Sequence, residues 1–194
     1  MFKRNLIAAL QAGDRREISL AIREYKLPDG RANYPALFKI PTGERLPAMA
    51  AHDIRQTSMM VTAGITLAME SMNLSRPMNA AQIMDLADAV IETAGEDNLS
   101  FEDMMIFLQK MTRGEYGPLY ESMDIPKFME KFETYRQDRH ESYMRMREEM
   151  DAQFKALPVS ERFSEMYPDE EVRKHKEAHI GHIIARAQQN PESK

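Results

Sequence analysis

Apolar residues recur at three-and-four spacing along most of this chain, a pattern that predicts helices rather than strands. The clearest run is Ile83, Leu86, Ala87, Val90 and Ile91, one stripe on a helix that Asn79 is placed to cap and Gly95 to end. Ser100 and Asp103 form a capping pattern for the next helix, which buries Phe101, Met104, Met105, Phe107 and Leu108. Upstream, Met49 to Met72 reads as one largely apolar helix in which Gly64 marks a close helix approach. Downstream, Asp124 caps a long helix over about 125–155, with Pro126 tolerated in its first turn. Its seam runs Ile125, Phe128, Met129, Phe132 and Tyr135, weakens through Arg136, Arg139 and His140, and resumes at Tyr143, Met146, Met150 and Phe154. At about 1.5 Å per residue such a helix spans roughly 45 Å, so its second half is expected to project or to pair with another helix. The candidate for that pairing starts at Pro168 and carries Val172, Ile180, Ile183 and Ile184.

The N-terminal quarter follows another pattern. Phe2 to Lys26 predicts one or two short helices broken near Gly13-Asp14, the second capped by Asp14 with Ile18, Ala21, Ile22 and Tyr25 on one stripe. Prolines at 28, 35, 41 and 47 then exclude a long helix, because each lacks an amide donor and pushes its predecessor towards extended geometry. A short strand or hairpin fits Ala36–Ile40. The expected fold is all-α, a helical bundle with one long helix (about 125–155) and a Pro-rich irregular segment (about 27–48). The expected divisions are 1–48, a basic arm with the Pro-rich loop; 49–157, the helical core; and 158–194, a C-terminal helix and frayed tail.

Composition narrows the class. The chain has 194 residues, 43% hydrophobic and 29% charged, enough for one domain with a core. With no cysteine there is no disulfide, thiol nucleophile or thiolate metal site. No apolar run approaches the roughly 18 residues of a membrane span, and the N-terminal apolar run, Leu6 to Leu10, meets Asp14-Arg15-Arg16-Glu17 too soon for a leader. A cytoplasmic protein is expected. Charge is uneven: residues 1–58 hold ten Lys and Arg against six Asp and Glu, and residues 59–124 hold three against eleven. A basic arm before an acidic centre suits docking on another macromolecule.

Candidate chemistry is sparse. His175, His179 and His182 share one helical face, a weak candidate metal set, but Lys176 stands where a zincin motif requires Glu. The acidic run Glu96 to Asp103 lacks the alternation and turn glycine of a calcium loop. No phosphate-binding glycine motif occurs, so neither an enzyme nor a cofactor is expected. Residues 83–112 resemble a helix-turn-helix only in outline, because Glu102 and Asp103 would face phosphates. Weak nucleic-acid contact is assigned instead to Lys3, Arg4, Arg15, Arg16 and Arg23. The loop Arg113-Gly114-Glu115-Tyr116-Gly117-Pro118-Leu119-Tyr120 is the best binding candidate, since its glycines allow special turns and its tyrosines suit interfaces. Inward packing of both tyrosines is the competing reading.

The segments FLQKMTRGEYGPLY, Phe107 to Tyr120, and DIPKFMEKFETYRQDRH, Asp124 to His140, resemble a family of uncharacterised proteins carried by bacterial phages, prophages and integrative elements. The resemblance covers about residues 74–156. In size and style it is similar to small phage replication accessories, including helicase loaders, a likeness of architecture rather than motif. The family brings no activity with it; the expected function is that of a non-catalytic protein, a replication accessory docking on a replicative helicase or other ATPase, with Tyr116, Tyr120, Phe128, Tyr135, Arg136 and Arg139 as its contacts and nucleic acid near the basic arm. The alternative is a structural, virion-associated assembly protein.

Overall fold

Short-range capping rules set most of the helix boundaries. The computed structural model describes residues 8–10, 12–72, 74–117, 122–158, 162, 166 and 169–189, with side chains described to 181. The fold is all-α, with no strand among the described residues. Asp14 accepts from the amides of Arg16 and Glu17 and starts α1 (Arg15–Ala21). Asn79 and Gln82 form a reciprocal capping box on α5 (Ala80–Glu96), and Ser100 and Asp103 form another on α6 (Phe101–Thr112). Asp124 accepts from the Lys127 amide at 2.9 Å and opens the long helix α7 (Ile125–Ala156).

Four expectations are corrected. Ala36–Ile40 is not a strand: Asn33 caps a short helix α2 (Tyr34–Phe38), whose first turn accepts Pro35 because that proline's missing donor would be unpaired there anyway. The apolar run from Met49 is two helices, α3 (Leu46–His52) and α4 (Ile54–Ser71). Asp53 takes an extended backbone and caps the second through the Gln56 amide. Gly95 lies inside α5; the reversal comes at Asn98, whose φ of 51° is the left-handed conformation that Asn tolerates. Residues 8–48 are no separate arm, because Leu10, Ile18, Ile22, Leu37 and Leu46 are buried and the first unit runs from Met1 to Tyr143.

In that unit α6 is the centre. Every side chain from Phe101 to Leu108 is buried, including Glu102 and Asp103, so the helix is surrounded over its first two turns. Helix α4 crosses it closely at Gly64, where an added Cβ would meet Met104 Cε at 3.0 Å and Met105 Sδ at 3.1 Å. Helix α5 packs against α4 and α3. From α7, Phe128, Phe132, Tyr135 and Arg139 face inward, and Phe107 sits among them with ring centroids 5.2, 5.0 and 5.8 Å from the three aromatic rings. Burying each such ring contributes about 1.5–3 kcal/mol.

The second unit, Met144–Lys194, comprises the end of α7 and α8 (Glu170–Gln189), which Asp169 caps through Glu171 and Val172. Of the continued α7 seam there, Met150 is 60% accessible while Met146 and Phe154 are half-buried, and on α8 Val172 and Ile180 are exposed. Pro168, expected to start α8, lies outside the described residues.

A charged cleft as candidate functional site

Three arginines converge where the 38–45 segment, the α5–α6 turn and α7 meet. They line a cleft of about 340 Å³ together with Phe38, Thr42, Asp97, Asn98, His140 and Tyr143. Each arginine is held differently.

Arg139 projects from the buried face of α7 towards α6. Its Nε donates to Asp103 Oδ1 at 2.8 Å, and one terminal nitrogen donates weakly to the Asp97 carbonyl at 3.4 Å. Its guanidinium also lies 4.8 Å from the Phe38 ring centroid, a cation–π contact. Asp103 is fully engaged: Oδ1 also accepts from Tyr135 Oη at 2.8 Å, and Oδ2 accepts from the Ser100 amide and hydroxyl. One buried carboxylate thus caps α6 and ties it to α7. Burial, with the Asp103 charge beside it, pushes the Tyr135 phenol well above its ordinary range.

Arg136, one turn earlier and nearer the surface, donates to Asp97, to Glu133 at 2.7 Å and to Glu96 at 2.7 Å. Burial works to lower its pKa, but the hydrogen bonds it donates to Asp97 and Glu96 outweigh that and raise it. Glu96 and Glu133 are well exposed, so their pairs with Arg136 are of the weak surface kind.

Arg45 is buried, and among the described residues no carboxylate is in hydrogen-bonding contact with it. Its Nε donates to the Ile40 carbonyl at 3.1 Å, and its terminal nitrogens donate to the carbonyls of Asn98, Leu37 and Phe38 at 2.8, 3.4 and 3.0 Å. The Leu46 amide donates beside them to the Leu99 carbonyl. Four backbone carbonyls from two loops therefore share one cation, which fastens the Pro-rich segment as a wall of the cleft. Burial, then the charge of Arg139, lowers its pKa. This residue was missed in the sequence, because nothing in its neighbours signals a carbonyl-binding arginine.

The residues expected to dock a partner are split by the structure. Arg136 and Arg139 both line the cleft, Arg139 from a nearly buried position, whereas Phe128 and Tyr135 are corrected to core positions, since they lie on the stripe of α7 that α6 covers. Tyr116 is also turned inward. Its ring lies 5.7 Å from Phe107 and 5.1 Å from Lys110 Nζ, and Lys131 Nζ donates to its carbonyl at 2.6 Å. Gly114 and Gly117 have φ of 77° and 87°, so the turn does use conformations that favour glycine. Tyr120 lies outside the described residues.

Of the basic set, Arg15 pairs at 3.6 Å with Glu70, while Arg16 and Arg23 are exposed on α1 and the turn after it; Lys3 and Arg4 lie outside the described residues. Glu102 and Asp103 are buried, so the helix-turn-helix outline presents neither carboxylate outward. His175 and His179 are exposed on α8, and the side chain of His182 lies outside the described residues. No helix among the described residues is long and apolar enough to cross a membrane. The chain matches no family model, no curated protein and no solved structure.

Proposed function

We propose that this chain is a non-catalytic binding protein of the cytoplasm, and that the cleft between Phe38, Asp97, Arg136 and Tyr143 is its docking surface. The observation that carries this reading is the construction of the cleft. A floor tied together by Asp103 and Arg45 underlies a rim on which His140 and Tyr143 are exposed and Arg136 is half-buried. Arginine and tyrosine around a preformed recess are the residue types that dominate binding energy at protein interfaces. The partner's proposed class, a replicative helicase or another replisome ATPase, rests on the likeness in size and style to small phage replication accessories, one of architecture rather than motif.

The test is capture of partners by the tagged protein in the native host while the element replicates, with Arg136→Glu and Tyr143→Ala variants beside it. Recovery of a replicative helicase, lost in both variants while their melting temperatures hold, is the expected result. Recovery unaffected by either variant would remove the cleft from the reading.

A second reading, a structural assembly protein, is favoured by the exposed Tyr143, Met144 and Met150 along α7. It predicts concentration-dependent self-association in light scattering, where the docking reading predicts a mass independent of concentration.

A further inference from the structure

The arginines of the cleft do not have equal capacity left. Arg136 uses all three nitrogens on carboxylates, and Arg45 spends its donors on four carbonyls. Arg139 uses Nε and one terminal nitrogen; its other terminal nitrogen makes no hydrogen bond with any described residue. A terminal guanidinium nitrogen carries two N–H donors, and Arg139 lines the cleft. Asp103 cannot take them up, because its two oxygens already accept four hydrogen bonds.

We propose that the cleft is a binding site for a single carboxylate group, received by the open terminal nitrogen of Arg139 and by Arg136 and His140 at the rim. The acidic residues decide the ligand's charge. Asp97 lines the cleft, Glu102 lies buried within reach of Arg45, and Glu96 and Glu133 stand at the rim beside Arg136. A dianion such as phosphate meets all that repulsion twice over, whereas a monoanion has only to replace Glu96 on Arg136. That replacement is easy, because Glu96 is 67% exposed and regains water when it leaves. The walls decide the shape. Phe38, already in contact with the Arg139 guanidinium, meets Tyr143 edge to face with centroids 5.3 Å apart, an aromatic wall against which the ring of an aromatic acid can lie. A carboxylate can arrive on a free aromatic acid or on an acidic side chain of the docking partner. The second source rests on the function proposed above.

The experiment titrates the arginine Nε–Hε resonances of the full chain at low ionic strength with three probes: benzoate, N-acetyl-aspartate N-methylamide and inorganic phosphate. Saturable shifts of the Arg139 and Arg136 signals with a carboxylate, and weaker ones with phosphate, are expected. Arg136→Gln and the exposed-site variant His140→Ala should each raise the half-saturation concentration by about tenfold. Preference for benzoate would assign a free aromatic acid, and preference for the aspartyl probe a protein side chain. Shifts linear in concentration, or saturable shifts indifferent to both variants or equal for phosphate, overturn the proposal. If no carboxylate binds yet partner capture still depends on Arg136, the site fails and the docking function stands. If a carboxylate binds while capture ignores Arg136, the reverse holds.

Discussion

The two halves of α7 carry the same stripe with different outcomes. Phe128, Phe132, Tyr135 and Arg139 are buried against α6, while on the continued stripe Tyr143 and Met150 are exposed and Met146 and Phe154 only half-buried. Spacing alone does not distinguish them. What differs is a partner with matching chemistry: α6 offers Phe107 to the rings and Asp103 to the arginine. A helical stripe states a capacity for burial, and the facing element decides whether it is used.

The comparison breaks most sharply at Asp103. Asp103→Ala removes one half of the capping box of α6 and leaves Arg139 buried without its carboxylate, so it should cost about 3–5 kcal/mol in denaturant unfolding. Met150→Ala on the exposed half should stay within about 0.5 kcal/mol by the same measurement. Similar values for the two would show that the buried network is not what separates the halves.

Gly64 sharpens the picture of α6 as the surrounded element. Gly64→Val forces atoms into space already held by Met104 and Met105, with Leu108 at 3.5 Å, and should cost about 1–3 kcal/mol. Gly95→Val, with nothing within 4 Å of its added Cβ, should not reproduce that loss.

Stability should also respond to pH through groups of the first unit. Burial, then the charge of Arg113, lowers Lys26 to about 8. Its unfolded form keeps its proton to higher pH, so the unfolded chain binds more protons between about 8 and the ordinary lysine range and stability should rise there. Tyr34, Tyr116 and Tyr135 are shifted the other way, mainly by burial, so above about pH 10 the unfolded chain loses protons that the folded one keeps, and stability should fall. Melting temperature against pH should therefore peak between these ranges. Lys26→Met should flatten only the rising limb.

The order of legibility follows the range of the interactions. Asp14, Asn79, Ser100 and Asp124 were readable as caps because a cap acts within three residues of itself. The break at Asp53 was readable by the same rule, since Gln56 stands three residues on, but the apolar run across it concealed the signal. Tyr135 stood on the predicted seam, but the buried bonding of Arg139 and Tyr135 was not readable. It depends on Asp103, which is 36 residues from one and 32 from the other. The cleft was half legible: Arg136 stood out on the helix, whereas Arg45 gains its role from carbonyls that every sequence possesses.

That last point bears on how this surface could diversify. Arg45 holds the wall of the cleft by main-chain oxygens, which a substitution at Phe38 or Lys39 leaves in place. Side chains on the wall can therefore be exchanged while its path is kept, because the fastening is blind to them. Retuning what the cleft accepts would need no refolding of the segment that frames it, and one guanidinium, charged at any physiological pH, would keep that frame standing through every such change.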